Sequence, residues 1–213
     1  LEKDYKHLAF FYILSPDLPV LSSYHYPNKS PITMSELRSL FVKLNIKKEN
    51  LDRFLAAAPT TPVVDEDWTA WWDSRKMYSK SPLASIPKLS ATTNSAVLAS
   101  YVNAPESIST ESRENDVYYF LSGFFSENYY EMLPMLALLK SVALYMGPGD
   151  SGEALVYDYF WGSKEVMAHL ELSEGKAVLK HTMQTSKINK QLLAESDKML
   201  QGLMDELSQK YGD

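Results

Sequence analysis

Four histidines stand at positions 7, 25, 169 and 181, and one carboxylate–histidine pair and one carboxylate pair have a spacing that could suggest metal chemistry. Glu165 and His169 are four residues apart, and so are Glu127 and Glu131. On helices such pairs share a face, and facing carboxylates and imidazoles in a bundle can hold two metal ions. The pattern that does so is Glu-x-x-His, three apart and used twice. This chain has neither that spacing nor a second copy, and it has no HExxH. Glu127, Glu131 and Glu165 therefore read as surface carboxylates, His169 is assigned no ligand role, and no metal or cofactor is expected. The absence of cysteine removes thiol nucleophiles, disulfides, zinc knuckles and iron–sulfur sites. Gly147, Gly149 and Gly152 match neither nucleotide fingerprint.

A second candidate is Gly149-Asp150-Ser151-Gly152. These four residues resemble the tetrad around the nucleophile of trypsin-like proteases, which implies a reactive serine hydroxyl in a double β-barrel, with a base and an oxyanion hole. After Gly147-Pro148 the same residues are what a helix-to-helix loop uses. Ser151 is read as a loop residue, no catalytic residue is assigned, and the balance leans away from an enzyme.

Aromatics are the most distinctive feature. The chain holds 14 Tyr and 4 Trp, clustered at Trp68/Trp71/Trp72, Tyr118/Tyr119, Tyr129/Tyr130 and Tyr157/Tyr159/Phe160/Trp161. Tyr and Trp combine large contact area with a polar handle, which suits interfaces and stacking platforms. Trp68 and Trp72 share a helical face and read as core, leaving Trp71 as the ring pointing elsewhere. Each adjacent tyrosine pair should place at least one ring away from the main apolar stripe. Trp71, Tyr118, Tyr119, Tyr129, Tyr130 and Trp161 are the expected binding residues.

A net charge of −6, from 27 acidic and 21 basic residues, argues against a phosphate-backbone partner. Lys43/Lys47/Lys48 and Arg75/Lys76/Lys80 are interrupted clusters that read as solvated helix faces. An apolar share of 45% is ordinary for a soluble globular chain. The sequence starts at Leu1, which fits a cytoplasmic protein, or an exported one if a signal sequence preceded it.

The elements that would position these residues read as helices. Thr33-Met34-Ser35-Glu36 has the form of a capping box ahead of Leu37, Leu40, Phe41 and Leu44, predicting a helix over 34–44. Further helices are predicted over 48–58, 65–78 and 94–102. Val117, Phe120, Leu121, Phe124 and Phe125 follow helical spacing. Residues 132–146 read as a central helix, too short at fifteen residues for the roughly 20 that span a bilayer. Residues 186–211 carry a long apolar stripe through Leu193, Leu200 and Leu207, expected to pack within the monomer against the 132–146 helix. Residues 6–14 read as a strand and 15–31 as a proline-rich loop. The stretch 153–184 alternates like a β-hairpin around Ser173-Glu174-Gly175-Lys176, yet its Ala, Leu, Met, Glu and Lys tilt it to helix. The expected fold is mainly α, an irregular multi-helix globular domain over 1–213, with at most a small β element from 6–14 and 153–184. A lobe boundary, if there is one, falls within 79–110.

The function expected first is non-enzymatic: an adaptor, inhibitor, immunity-type or assembly subunit that binds a protein partner through an acidic, tyrosine-rich face. The alternatives are a small-molecule or glycan-binding module with an aromatic cleft, and a hydrolase or metal-dependent enzyme.

Overall fold

The computed structural model describes residues 37–77, 80–104 and 108–211. The predicted strand at 6–14, the proline-rich stretch 15–31 and the Thr33–Glu36 capping box lie outside the described residues. At the centre is a six-stranded, wholly antiparallel sheet, which overturns the mainly helical expectation. Its strands are β1 (Ser39–Asn45), β2 (Ser109–Glu114), β3 (Val117–Ser122), β4 (Ser151–Tyr157), β5 (Val166–Ser173) and β6 (Lys176–Leu179), in the spatial order β2-β3-β1-β4-β5-β6.

Among the described residues five α-helices surround the sheet: α1 (Lys48–Ala56), α2 (Glu66–Ser74), α3 (Asn94–Val102), α4 (Tyr129–Ser141) and α5 (Lys190–Tyr211). The first four share one core with Leu40, Val42 and Leu44 of β1, Phe120 of β3, Val156 of β4 and Leu170 of β5. On the opposite face α5 covers Phe41, Leu121, Leu155, Tyr157 and Val166. The sheet is thus buried on both sides over its middle, and this explains why β1 and β3 lack a strand's alternation in the sequence. A strand covered on both faces loses polar/apolar alternation and becomes a continuous apolar run, which periodicity cannot tell from a buried helix.

In β1, Leu40, Val42 and Leu44 point to the four helices while Phe41 points to α5. Residues 39–44 are therefore strand, not the helix predicted over 34–44. In β3, Tyr118 and Phe120 point one way, Tyr119 and Leu121 the other, so the helix predicted from Val117 onward is a strand as well. A turn signal marked the spot: Asn115 takes φ 54° between β2 and β3, a conformation asparagine tolerates better than most residues. Over 153–184 the hairpin alternative prevails, with β5 and β6 joined at Gly175, φ 63°.

The helix bounds predicted for 48–58, 65–78, 94–102 and 186–211 agree with α1, α2, α3 and α5 to within a few residues. What fails is the partner of the last one. The sheet lies between α5 and α4, so α5 packs on β-strands rather than on the 132–146 segment. Ser196, which interrupts the α5 stripe, is fully buried and hydrogen-bonded to the Tyr157 hydroxyl at 2.8 Å. That hydroxyl also donates to Asp197. Ile86, Val97 and Leu98, from the compositionally plain 79–110 stretch, sit in the same core as β1 and β3.

Candidate functional site

Of the six aromatic residues expected to bind, the structure buries three. Trp71 is 0% exposed; it is i+3 from Trp68, so it shares the stripe that Trp68 and Trp72 form instead of leaving it. Its ring meets Tyr129 edge-on at 5.9 Å, and the Arg75 guanidinium lies over it at 5.7 Å. Tyr118 is buried with its hydroxyl on Glu111, and burial followed by that carboxylate pushes its pKa up. Tyr129 is buried beside Trp71 and Trp72.

The other three keep some exposure but lie apart. Tyr119 faces α5 across the sheet, where it donates to Glu195 at 2.5 Å. Burial and that bond push Tyr119 up to about 12. Trp161, in the β4–β5 loop, donates Nε1 to the Leu37 carbonyl at 3.2 Å. Tyr130 is 47% exposed, stacked edge-on against Trp72 at 5.0 Å and hydrogen-bonded to Ser81. The six residues do not form one surface. Neighbouring tyrosines on a strand point to opposite faces, and the strand assignment of 118–119 therefore separates them.

Two regions instead concentrate functional groups. The first is the outer side of α2. Asp65 caps this helix by accepting the Trp68 amide at 2.9 Å, and Val64, Asp65, Glu66, Thr69, Ala70 and Asp73 line an open concavity of about 540 Å³. Asp67, on the same helix, turns inward to Lys140 and to the Leu179 amide. Glu66 and Asp73 make no ion pair among the described residues and face solvent. Val63, 75% exposed, precedes the helix, and Tyr130 flanks its far end through Trp72.

The second region is the part of the sheet that α5 leaves uncovered. A smaller groove of about 240 Å³ runs there between Lys43, Asn45, Ser151, Glu153, Glu171 and Leu192. His169 lies beneath it, 5% exposed, with Nε2 2.9 Å from Glu153 and Nδ1 3.2 Å from the Thr182 hydroxyl. Thr182 is held in turn through its carbonyl, which accepts from the buried Arg75 guanidinium at 3.1 Å. Arg75 also donates to the carbonyls of Val166 and Met167, tying α2 to β5, and its burial lowers its pKa. Lys180 pairs with Glu171, and Lys43 with Glu195 at 2.6 Å. Burial alone would raise the Glu195 pKa, but the bonds from Lys43 and Tyr119 outweigh it and hold the carboxyl below its ordinary value.

The sequence grouping of His169 with Glu165, Glu127 and Glu131 is not what the fold assembles. Glu165 pairs with Arg38, and Glu131 bonds Ser126 and Asn128 at the start of α4. The carboxylates that reach His169 are Glu153 and Glu171, brought by strand register. Ser151 opens β4 instead of sitting between two helices, and its hydroxyl accepts from Asn45 at 3.4 Å. In the same tetrad Asp150 is the residue with structural work: it binds the amides of Lys47 and Gly147 and the Asn50 side chain. No family model, curated protein or solved structure matches the chain.

Proposed function

We propose that this chain is a protein-binding module whose contact face is the outer side of α2, and that the partner presents a basic segment with an apolar anchor. The observation that supports it best is the arrangement along that helix. Solvent-facing Glu66 and Asp73 line an open concavity together with Val64 and Thr69; Val63 is exposed just before the helix, and Tyr130 is exposed beside Trp72 near its C-terminal end. Open, gently concave surfaces with a few apolar anchors suit a protein chain, whereas drug-sized ligands favour enclosed apolar pockets. Among the described residues both the α2 concavity and the sheet groove are open to solvent. The net charge of −6 adds long-range attraction for a basic partner. Among the described residues no helix is long and apolar enough to cross a membrane.

The test is site-specific photo-cross-linking in native lysate. A photoreactive residue at Thr69, on the concavity, is expected to trap a discrete partner. The same residue at Ser112, on the exposed edge strand β2, should not. The Thr69 product should weaken as salt rises and should be lost in a Glu66→Lys/Asp73→Lys/Tyr130→Ala variant of unchanged stability. Equal products from both positions, or a Thr69 product indifferent to salt and to the triple substitution, would overturn the reading.

A further inference from the structure

On the opposite side of the sheet, strand register creates an electrostatic conflict. Glu153 and Glu171 face each other directly across β4 and β5, and like charges in that position destabilise a sheet. Register also sets Lys43 opposite Glu153 from β1, which should relieve the conflict. Instead the Lys43 ammonium is drawn to Glu195 on α5. Lys180 reaches Glu171 from a half-exposed position, and Glu153 is left with His169 as its partner. His169 precedes Glu171 by two residues and so projects from the same face. One nitrogen and two carboxylate oxygens from these three residues lie within 4.8 Å of one another.

We propose that Glu153, His169 and Glu171 form a binding site for a divalent cation of the zinc class. Metal–ligand bonds near 2.1 Å at tetrahedral angles place donor atoms roughly 3.4 Å apart. Two carboxylates can close that gap by side-chain rotation with the strands held still. The imidazole is already positioned. It is nearly fully buried, and its Nδ1 is bonded to Thr182, which Arg75 anchors. An outer hydrogen bond of this kind fixes the tautomer that directs Nε2 at a metal. One imidazole and two carboxylates suit Zn²⁺; Mg²⁺ and Ca²⁺ ask for six or more oxygens. Three protein ligands also leave a coordination position, and the groove between Lys43, Ser151 and Leu192 gives it access to water or to a partner's side chain. As the side chains stand, Glu153 lies 2.9 Å from His169 Nε2 and Glu171 pairs with Lys180. Binding therefore displaces Lys180 from Glu171 and replaces the contact between Glu153 and His169 Nε2 with bonds from both to the cation.

The displacement gives the test its discriminating arm. Isothermal titration of the chelator-washed full chain with ZnCl2 is expected to show one site, accompanied by a rise in Tm. Glu171→Gln, at a half-exposed position that folding should tolerate, should weaken binding at least tenfold, and Glu153→Gln likewise. Lys180→Met should strengthen it severalfold by freeing Glu171. His181→Ala, which alters an exposed histidine nearby in sequence, should leave it unchanged. MgCl2 should not compete. Titration with Co²⁺ should give the intense visible bands of a four-coordinate ion. Failure to bind Zn²⁺, affinity unmoved by Glu153→Gln and Glu171→Gln, or affinity lost with His181→Ala would each overturn the site. A Lys180→Met variant that bound no more tightly would overturn the displacement.

Discussion

Leu200 and Gly202 sit two residues apart on α5 and should respond to alanine in opposite directions. Leu200 is 0% exposed, in the small core that α5 makes with Phe41, Leu121 and Leu155. Truncation to alanine removes three buried carbons, about 2.4 kcal/mol at about 0.8 kcal/mol each. A residual cavity adds to that, since strands paired on both sides cannot collapse into the space, so the expected loss is about 3 kcal/mol. Gly202 is exposed, and a Cβ built there meets nothing within 4 Å. Gly202→Ala should stabilise the helix by about 0.8 kcal/mol. Urea unfolding followed by circular dichroism reads both as shifts in midpoint at constant slope. A double-mutant cycle then asks what α5 packs on. Leu200→Ala with Leu155→Ala, across the helix–sheet interface, should couple by roughly 1 kcal/mol. Leu200→Ala with Leu139→Ala on α4 should be additive to within about 0.5 kcal/mol. Coupling to Leu139 in place of Leu155 would refute the three-layer arrangement. A Leu200→Ala cost under about 1 kcal/mol would show that α5 is not docked.

Asp150 gives a pH-dependent counterpart. Burial raises its pKa, but the amides of Gly147 and Lys47 and the Asn50 side chain more than compensate, so the net shift is downward. A folded pKa below the unfolded value stabilises above the ordinary carboxylate range and is lost as pH falls through the folded pKa. Asp150→Asn should therefore cost about 2 kcal/mol at pH 7, as expected for hydrogen bonds to a charged group. The cost should shrink as pH falls below the ordinary carboxylate range and the wild-type carboxyl protonates; urea midpoints that kept a constant difference on acidification would contradict it. In the same tetrad, Gly152→Ala should destabilise by about 2 kcal/mol, because its Cβ would lie 2.5 Å from Leu44 Cδ2 and 3.1 Å from the Lys43 carbonyl. Ser151→Ala should stay within about 0.5 kcal/mol of wild type, and a fluorophosphonate should not label Ser151. Thermal melts and mass spectrometry check these two.

What was legible in the sequence followed from local chemistry. Asn94–Val102 was placed to the residue, and its neighbours explain why: Thr93 caps it by accepting the Ala96 amide. Gly175 and the alternation around it mark the β5–β6 hairpin, against a composition that favours helix. β1 and β3 were not legible by period, because α5 and the four-helix layer each claim one of their faces. In β3 the composition was nonetheless informative: Val-Tyr-Tyr-Phe is β-branched and aromatic, which favours a pleated surface over a helix. Residue type, not spacing, carries the strand signal there. The stripe on α5 is plain in the sequence and its partner is not, since an amphipathic face states that it must be covered and not by what.

The cation site shows a deeper limit. Its three residues are 153, 169 and 171, and only the last two are close in sequence. Spacing along a chain can reveal ligands on one element, as i and i+4 do on a helix, or i and i+2 on a strand. It cannot reveal a third ligand supplied by pairing, because register is set by everything else buried on that sheet. Here the bulge between Val156 and Tyr157 and the turn that seats Asp150 bracket β4, and together they hold Glu153 opposite Glu171. Read as a helix, 165–171 puts Glu165 beside His169; read as a strand, the same residues put Glu171 beside it and send Glu165 to Arg38. The choice between two secondary structures thus decides which carboxylate meets the imidazole. Correcting the fold class therefore changes which carboxylate faces the imidazole, because pairing between strands, and not spacing along one helix, sets that neighbour.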